Sequence, residues 1–188
     1  MLSELNPGSG KLIYLMGASG SGKDSLLRAV AGWQQAGGSV IAARRYITRE
    51  VRAGCEPHSA LSQAEFEARE RAGNFLFNWQ AHGFQYGIAH EVLSDLQSGK
   101  HVVVNGSRRY LMTAQGIYPG LVPVCLEVAP QVLKSRLIAR GRETPDEIVA
   151  RLGQADEFSG NIPADAIKIN NNEHIEVAVE QLRKLLDI

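Results

Sequence analysis

The sequence predicts an α/β fold, in which helices cover both faces of a doubly wound and mostly parallel sheet. Short apolar runs alternate with segments of helical periodicity along the chain, and a glycine-rich turn joins the first run to the first helix. The chain has 188 residues, 44% of them hydrophobic and 21% charged, which is enough to bury the core of one domain. We therefore expect a single domain over residues 1–188.

The first half of the chain supplies two strands and two helices. They are a strand at Leu12–Met16, a helix at Ser25–Gln35, a strand at Val40–Ala43 and a helix at Gln63–Arg71. The apolar run of the first strand is typical of a buried strand, and the pair Gly37 and Gly38 ends the first helix. Ser62 and Glu65 have the spacing of a capping box, which fixes the start of the second helix.

The second half continues the alternation of strands and helices. It contains an apolar run at Phe75–Phe77, a helix at Ala89–Gln97, strands at Val102–Val104 and Leu121–Val128, helices at Pro130–Ala139 and Pro145–Leu152, a strand at Ala166–Ile169 and a helix at Ile175–Leu186. Proline suits the first turn of a helix because its missing N–H has no partner there in any case. This order favours parallel strands joined by right-handed crossovers.

Charge and composition exclude several classes of protein. Twenty Lys and Arg residues balance twenty Asp and Glu residues, so the net charge of zero disfavours a nucleic-acid or membrane-surface binder. Two cysteines, Cys55 and Cys125, are too few for a disulfide framework, and we interpret both as reduced structural thiols. No apolar stretch approaches a membrane span, and the N-terminus has no signal-peptide pattern. We expect a cytoplasmic protein.

The strongest functional signal is the glycine-rich segment Gly17–Lys23, GASGSGK, which fits the P-loop pattern G-x-x-x-x-G-K between a strand and a helix. Glycines let successive N–H groups turn inward onto phosphate oxygens, and the helix adds the positive end of its dipole. Lys23 would reach the outer phosphates. The sequence thus predicts a P-loop NTPase fold that binds ATP through Gly17, Ala18, Ser19, Gly20, Ser21, Gly22, Lys23, Asp24 and Ser25.

Asp24 departs from the pattern, which has Ser or Thr at that place to give Mg²⁺ a hydroxyl ligand. A carboxylate beside a triphosphate is repelled unless a cation lies between them, so Asp24 is a candidate Mg²⁺ ligand. The strand at Val102–Val104 ends in Asn105, where such folds usually supply an acid. We hypothesise that Asp24 takes over part of the function of that missing carboxylate. The alternative is a surface acid stabilised by the helix N-terminus.

Two groups of arginines could hold and neutralise phosphates. Arg44, Arg45, Arg49 and Arg52 follow the second predicted strand, at the sheet edge where open α/β folds bind ligands, and guanidinium groups suit bidentate phosphate contacts. The alternative is a solvated loop.

A second group of arginines lies near the C-terminus. Arg136 and Arg140 share a helix face, and Arg151 lies on the next helix, so residues 136–152 could form a lid that closes over a nucleotide. The alternative is a polar amphipathic helix pair.

On these residues the chain resembles the guanylate-kinase-like family of P-loop kinases, and most closely its branch of ribose 1,5-bisphosphate phosphokinases. The resemblance covers nearly the whole chain. Its segments are Leu12–Leu27, Arg45–Arg49, His101–Leu111, Leu121–Ala129 and Arg136–Leu152. The ending Gly-Lys-Asp-Ser of the P-loop and the segment Asn105–Arg108 are the more branch-specific marks.

The resemblance implies transfer of the ATP γ-phosphoryl, with Mg²⁺, to ribose 1,5-bisphosphate, giving 5-phosphoribosyl 1-diphosphate in phosphonate breakdown or an accessory route. It implies an acceptor-binding region at about 44–88. The substrate-binding residues would be Tyr46, Thr48, Arg49, Arg52, Tyr86, Asn105, Ser107 and Arg108, and the catalytic residues Lys23, Arg136, Arg140 and Arg151.

Two alternatives remain open from the sequence. One is a guanylate-kinase-like nucleoside monophosphate kinase, although Phe77 stands where guanylate kinases have the acid that reads guanine. Because Phe cannot accept the hydrogen bonds of guanine, GMP is not expected to be a good substrate. The other is a noncatalytic interaction module on the same fold, which the intact Lys23 disfavours and the unusual Asp24 keeps open. The oligomeric state stays unknown.

Overall fold

The computed structural model describes residues 10–50, 58–141, 143–159 and 162–188. Nine strands, seven α-helices and one 3-10 helix lie in these ranges. The strands are β1 (Leu12–Gly17), β2 (Val40–Ala42), β3 (Arg45–Ile47), β4 (His58–Ala60), β5 (Phe75–Ala81), β6 (Phe84–Ala89), β7 (His101–Asn105), β8 (Leu121–Glu127) and β9 (Ile167–Asn170). The α-helices are α1 (Lys23–Gln35), α2 (Gln63–Arg71), α3 (Glu91–Gln97), α4 (Leu111–Ile117), α5 (Pro130–Arg140), α6 (Pro145–Ser159) and α7 (Ile175–Leu186), with the 3-10 helix at Arg108–Tyr110.

A five-stranded sheet in the order β2-β7-β1-β8-β9 confirms the predicted α/β class. The pairs β2–β7 and β8–β9 are parallel. Leu12 to Met16 of β1 and Val102 to Val104 of β7 are almost completely buried. Unbroken apolar runs are typical of strands that are covered on both faces, which is why the sequence pattern located these two strands.

A second, four-stranded sheet in the order β4-β3-β6-β5 was not predicted. β3 pairs parallel to β4, whereas β6 pairs antiparallel to both β3 and β5. This second sheet corrects two expectations. Arg45 and Tyr46 lie within β3 rather than at the carboxyl edge of the parallel sheet, and Ala89, expected to begin a helix, ends β6 opposite Phe75.

The helix boundaries follow local chemistry. Ser62 caps α2, and the reciprocal hydrogen bonds with Glu65 confirm the capping box. Pro130 occupies the first turn of α5, and Gly141 ends that helix with a φ of 61° in the left-handed region. α6 continues seven residues beyond the expected Leu152, to Ser159.

The chain divides into two compact units. The first unit comprises Met1–Tyr14 and Leu27–Val122, and the second comprises Leu15–Leu26 and Pro123–Ile188. The first unit contains the whole four-stranded sheet, and the second contains the glycine-rich loop and the helices α5, α6 and α7. Within the described residues, no helix combines the length and apolar character that crossing a membrane requires.

Candidate functional site

The glycine-rich loop lies where the sequence places it, between β1 and α1. Gly20 and Gly22 have φ angles of 86° and 99°, a conformation that L-residues with a side chain rarely adopt. The Ser21 N–H donates to the Ala18 carbonyl at 3.1 Å, which closes a tight turn. Beyond this turn the backbone enters α1 directly at Lys23. The loop is therefore followed by a helix N-terminus, which has the electrostatic character that attracts phosphate.

Lys23 lies back against its own loop. Its Nζ donates to the carbonyl oxygens of Gly17 at 2.6 Å and of Ala18 at 2.8 Å, and the side chain is partly buried. These bonds hold the ammonium group on the segment that would bind phosphate. Phosphate oxygens are charged acceptors that form stronger hydrogen bonds with ammonium than carbonyl oxygens do.

Each of the three loop glycines has a close neighbour in the second unit. A Cβ on Gly17 would lie 2.6 Å from Ser21 Oγ, one on Gly20 would lie 2.9 Å from Leu133 Cδ1, and one on Gly22 would lie 2.4 Å from an amide nitrogen of Asn171. Real Cβ atoms do not approach other atoms so closely. Packing therefore requires glycine at all three positions, and the backbone angle requires it also at Gly20 and Gly22.

Sequence analysis missed Asn171, which supports this loop. Its side-chain nitrogen donates to the Ser21 carbonyl at 2.7 Å, and the residue is 2% exposed. The only sequence signal was a run of three asparagines, Asn170 to Asn172, directly after a predicted strand. Such a run indicates a turn, and it does not indicate which distant backbone group its amides will bind.

Asp24 and Ser25 lie in the first turn of α1. Asp24 is exposed, and the Ser25 N–H donates to the Gly22 carbonyl at 3.0 Å. An exposed carboxylate beside a phosphate-binding loop is free to meet a hydrated cation, so its chemistry fits Mg²⁺. Among the described residues, no group of three or more His, Cys, Asp or Glu side chains could hold a metal by itself. The Mg²⁺ role of Asp24 stays a prediction.

Two of the three lid arginines share one acidic partner, Glu143. Arg140 forms a hydrogen-bonded ion pair with Glu143, and Arg151 lies 3.4 Å from the same carboxylate oxygen. The Glu143 side chain is only 6% exposed. A carboxylate so placed is compensated by the two guanidinium groups, and it fixes them in turn. Sequence analysis did not single out Glu143, because an acidic residue on the short turn between α5 and α6 resembles an ordinary surface acid.

Arg151 also reaches the glycine-rich loop, where its guanidinium donates a hydrogen bond to Ser19 Oγ. The structure therefore brings one lid arginine onto the P-loop. Arg136 takes a different direction: its Nη2 donates to the Glu173 carbonyl at 2.6 Å, just before α7. The catalytic roles of Arg136, Arg140 and Arg151 stay predictions.

The acceptor-side residues lie on the four-stranded sheet of the first unit. Tyr46 on β3 pairs with Gly87, next to Tyr86 on β6. Thr48 continues this pairing, since its hydroxyl accepts from the Gln85 N–H at 2.9 Å. The Arg49 guanidinium lies 5.7 Å from the centre of the Phe84 ring, a cation–π distance. Arg52, predicted to bind the same phosphate, lies outside the described residues, as does Cys55.

Aromatic side chains fill the middle of this unit. Phe77 is fully buried, and its ring meets Tyr14 edge-on at 6.2 Å and Tyr110 at 6.4 Å. Trp79 stacks on Tyr86 with ring centres 5.5 Å apart and nearly parallel planes. The position at which the resemblance predicts the acid of guanylate kinases is thus occupied here by an apolar ring inside an aromatic cluster.

The segment after β7 is bound to Tyr14. The Tyr14 hydroxyl donates to the Ser107 carbonyl and accepts from the Ser107 N–H, both at 3.0 Å. A Cβ on Gly106 would lie 2.1 Å from the Tyr14 ring, so only glycine fits there. Burial raises the pKa of the Tyr14 phenol well above its usual range, so the hydroxyl keeps its proton. Asn105 is 4% exposed, and Arg108 begins the 3-10 helix.

Comparisons with known proteins place the chain in a family. No family model matches it. It is 47% identical to a ribose 1,5-bisphosphate phosphokinase PhnN of Psychromonas ingrahamii, over 96% of this chain and 91% of that protein. It is 46% identical to a ribose 1,5-bisphosphate phosphokinase PhnN of Thiobacillus denitrificans, over 94% of this chain and 93% of that protein.

A solved structure supports the fold. The crystal structure of guanylate kinase from Anaplasma phagocytophilum superposes with a TM-score of 0.72, over 96% of this chain and 86% of that one, at 16% identity. At this identity the likeness shows the guanylate-kinase-like fold alone. The level of identity to the curated relatives is high over nearly their whole length, so the chain belongs to the family of ribose 1,5-bisphosphate phosphokinases.

Proposed function

We propose that this protein transfers the γ-phosphoryl group of ATP to ribose 1,5-bisphosphate, giving 5-phosphoribosyl 1-diphosphate and ADP. An oxygen of the 1-phosphate attacks the γ-phosphorus, and the bond from that phosphorus to the β,γ-bridging oxygen breaks. The attacking oxygen is already ionised at neutral pH, so the reaction needs no strong general base. The observation that carries the proposal is the glycine-rich loop with Lys23 held on it and Arg151 bonded to Ser19.

The nucleotide side of the reaction uses residues of the second unit. The amides of Gly17–Lys23 bind the phosphates of ATP, and Lys23 exchanges its two carbonyl partners for phosphate oxygens. Arg140 and Arg151 neutralise the charge that develops on the transferring group, a function in which fixed cations are effective because they need no reorganisation. Arg136, whose guanidinium is bonded to the Glu173 carbonyl, is the third arginine proposed for the lid.

Mg²⁺ would supply positive charge between the phosphates of the nucleotide. Asp24 is the candidate protein ligand, directly or through water, because Mg²⁺ is commonly held by one or two carboxylates together with phosphate oxygens. Asp24→Asn tests this role. We expect the Mg²⁺ concentration for half-maximal activity to rise, and an unchanged requirement would remove Asp24 from the metal site.

The acceptor side uses residues of the first unit. Thr48, Arg49 and Arg52 bind a phosphate of the acceptor, with Tyr46, Tyr86, Asn105, Ser107 and Arg108 around it. Phe77 favours an acceptor without a base, because the buried ring offers no oxygen to the N–H groups of guanine. A site that leaves those groups without partners discriminates against GMP.

The deciding experiment measures ADP release with ribose 1,5-bisphosphate or GMP as acceptor, with phosphorus NMR of the products. We expect a diphosphate product only from the sugar bisphosphate, and Lys23→Met as control should lose the reaction. Release of ADP with GMP alone would support a nucleoside monophosphate kinase instead. If ATP with Mg²⁺ does not bind, a noncatalytic module on this fold becomes the better explanation.

The proposed product indicates a role in the cell. 5-Phosphoribosyl 1-diphosphate is an activated ribose, so this reaction would supply it in phosphonate breakdown or as an accessory route, and we place the protein in the cytoplasm, where ATP is available. Deleting the gene should stop growth that depends on phosphonate breakdown or on the accessory route to 5-phosphoribosyl 1-diphosphate. Wild-type growth of the deletion strain under both conditions would argue against the assignment.

A further inference from the structure

We propose that Asn171 is a positioning residue that sets the shape of the phosphate-binding loop and thereby its affinity for the nucleotide. The proposal rests on the nucleotide site proposed above. Its motivating observation is the hydrogen bond from the buried Asn171 amide to the Ser21 carbonyl, which joins residues 150 positions apart in the chain.

Asn171 is itself held firmly. Its backbone N–H donates to the Glu127 carbonyl at 2.9 Å, which continues the parallel pairing of β8 and β9. The preceding residue, Asn170, exchanges two backbone hydrogen bonds with the side chain of Gln181 on α7, at 3.0 and 3.1 Å. A side chain on so well fixed a backbone presents its amide in one place, because little freedom remains for it to lose.

The amide contacts the loop at two consecutive residues. It binds the Ser21 carbonyl, and it lies against Gly22, where a Cβ would come within 2.4 Å of it. A trans peptide is planar, with its C=O and N–H pointing in opposite directions. Binding the Ser21 carbonyl therefore turns the Gly22 N–H away from Asn171. In a P-loop the N–H groups must be aimed in a common direction to bind phosphate oxygens.

The other end of the amide argues against a purely structural role. Asn171 Oδ1 is buried and has no hydrogen-bond partner among the described residues. An unsatisfied buried acceptor destabilises the folded state, so Oδ1 gives the fold no stability, and the contribution of this amide comes from its donor nitrogen. An apolar side chain of similar size would lack the donor nitrogen that faces the Ser21 carbonyl.

Asn172 provides a matched control one residue away. Its Oδ1 accepts a hydrogen bond from the Ala129 N–H at 2.6 Å, so this side chain acts as an acceptor. Asn→Asp changes one atom at either position. At Asn171 it replaces the donor that faces a carbonyl with a repelling oxygen, whereas at Asn172 the acceptor oxygen remains.

The experiment titrates Mg²⁺ and the nonhydrolysable analogue β,γ-imido-ATP into the protein and its variants by calorimetry. We expect the Kd of Asn171→Asp to rise by about tenfold or more, since a donor is lost and a repulsion gained. The Kd of Asn172→Asp should stay within about twofold of the wild type. In steady-state assays, Asn171→Asp should raise the KM for ATP and leave the KM for the sugar bisphosphate unchanged.

Urea unfolding shows whether a variant that binds nucleotide weakly is still folded, and so distinguishes a change in loop position from a loss of folding. If Asn171→Asp does not fold, Asn171→Ala, which removes the donor without adding repulsion, takes its place with a smaller rise in Kd. A folded Asn171 variant with wild-type Kd, or an equal loss of affinity in Asn172→Asp, would overturn the proposal. If the wild-type protein itself does not bind the analogue, the nucleotide site fails and this proposal fails with it.

Discussion

Replacing Tyr14 by Phe would remove one hydroxyl group and leave the ring in place. The ring packs edge-on against Phe77 and covers Gly106, and these contacts do not involve the hydroxyl. The hydroxyl makes two hydrogen bonds of 3.0 Å to the backbone of Ser107. The substitution therefore separates the hydrogen bonding of Tyr14 from its packing, on a segment that we assign to the acceptor.

The expected loss in the free energy of unfolding follows from these two hydrogen bonds. Each contributes about 0.5–1.5 kcal/mol net, so Tyr14→Phe should lower the free energy of unfolding by about 1–3 kcal/mol, measured by urea denaturation. Because the Ser107 segment then loses its anchor, the KM for the acceptor should rise while the KM for ATP stays nearly constant. Steady-state kinetics with each substrate varied in turn would measure both.

The pH dependence gives an independent check. Burial raises the pKa of Tyr14 in the folded protein above its unfolded value near 10, an effect that the hydrogen bond with Ser107 partly offsets and the neighbouring Tyr110 increases. The stability from the neutral phenol is therefore complete below pH ~10 and is lost as the pH rises toward the folded pKa. The difference in stability between wild type and Tyr14→Phe should shrink above pH ~10.

Tyr110→Phe is the matched control, because its hydroxyl accepts a single, longer bond of 3.4 Å from the Asn78 N–H. It should lose less than half as much stability as Tyr14→Phe. A loss below about 0.5 kcal/mol in Tyr14→Phe, or one no larger than in the control, would refute the reasoning.

Three further predictions test other parts of the molecule. Glu143→Gln removes the charge that holds two lid arginines, so steady-state assays should show kcat falling about three- to tenfold, and an unchanged kcat would contradict the lid role. Gly22→Ala combines a positive φ with a Cβ 2.4 Å from Asn171, whereas Gly37→Ala has a positive φ and open space. Urea unfolding should therefore show the larger loss for Gly22→Ala, beyond the ~1–2 kcal/mol of backbone strain common to both. Ser62→Ala should cost about 1 kcal/mol of stability by urea unfolding and leave kcat unchanged, since it removes only a helix cap.

The parts of the fold that the sequence predicted correctly depend on neighbouring residues. The capping box of Ser62 and Glu65, the buried run of β1 and the periodicity of α7 are each visible within a dozen residues. The glycine-rich loop belongs to the same class, because its three glycines and Lys23 lie within seven consecutive residues. Local chemistry sets these features, so a single sequence suffices to find them.

The parts that were missed depend on distant partners. The strands β3 and β4 have three residues each, Arg45–Ile47 and His58–Ala60, and contain polar side chains that hide a strand pattern. Asn171 carries no local signal of its role, since that role comes from a carbonyl 150 positions away in the chain. Glu143 is an exception, because its partners Arg140 and Arg151 are near in sequence and only the fold of the turn brings both guanidinium groups to it. Tertiary contacts determine such roles.

The distance between the phosphate-binding loop and its supports affects the order in which the protein matures. During synthesis the loop leaves the ribosome early, whereas Leu133 and Asn171 follow more than a hundred residues later. At about 5–20 residues per second, the 150 residues between Ser21 and Asn171 take roughly 8–30 seconds to make. A nascent chain interrupted within that interval carries every residue of the P-loop pattern but lacks the amide that orients it. The loop can therefore take the shape proposed for nucleotide binding only after Asn171, 150 positions further along the chain, has been made.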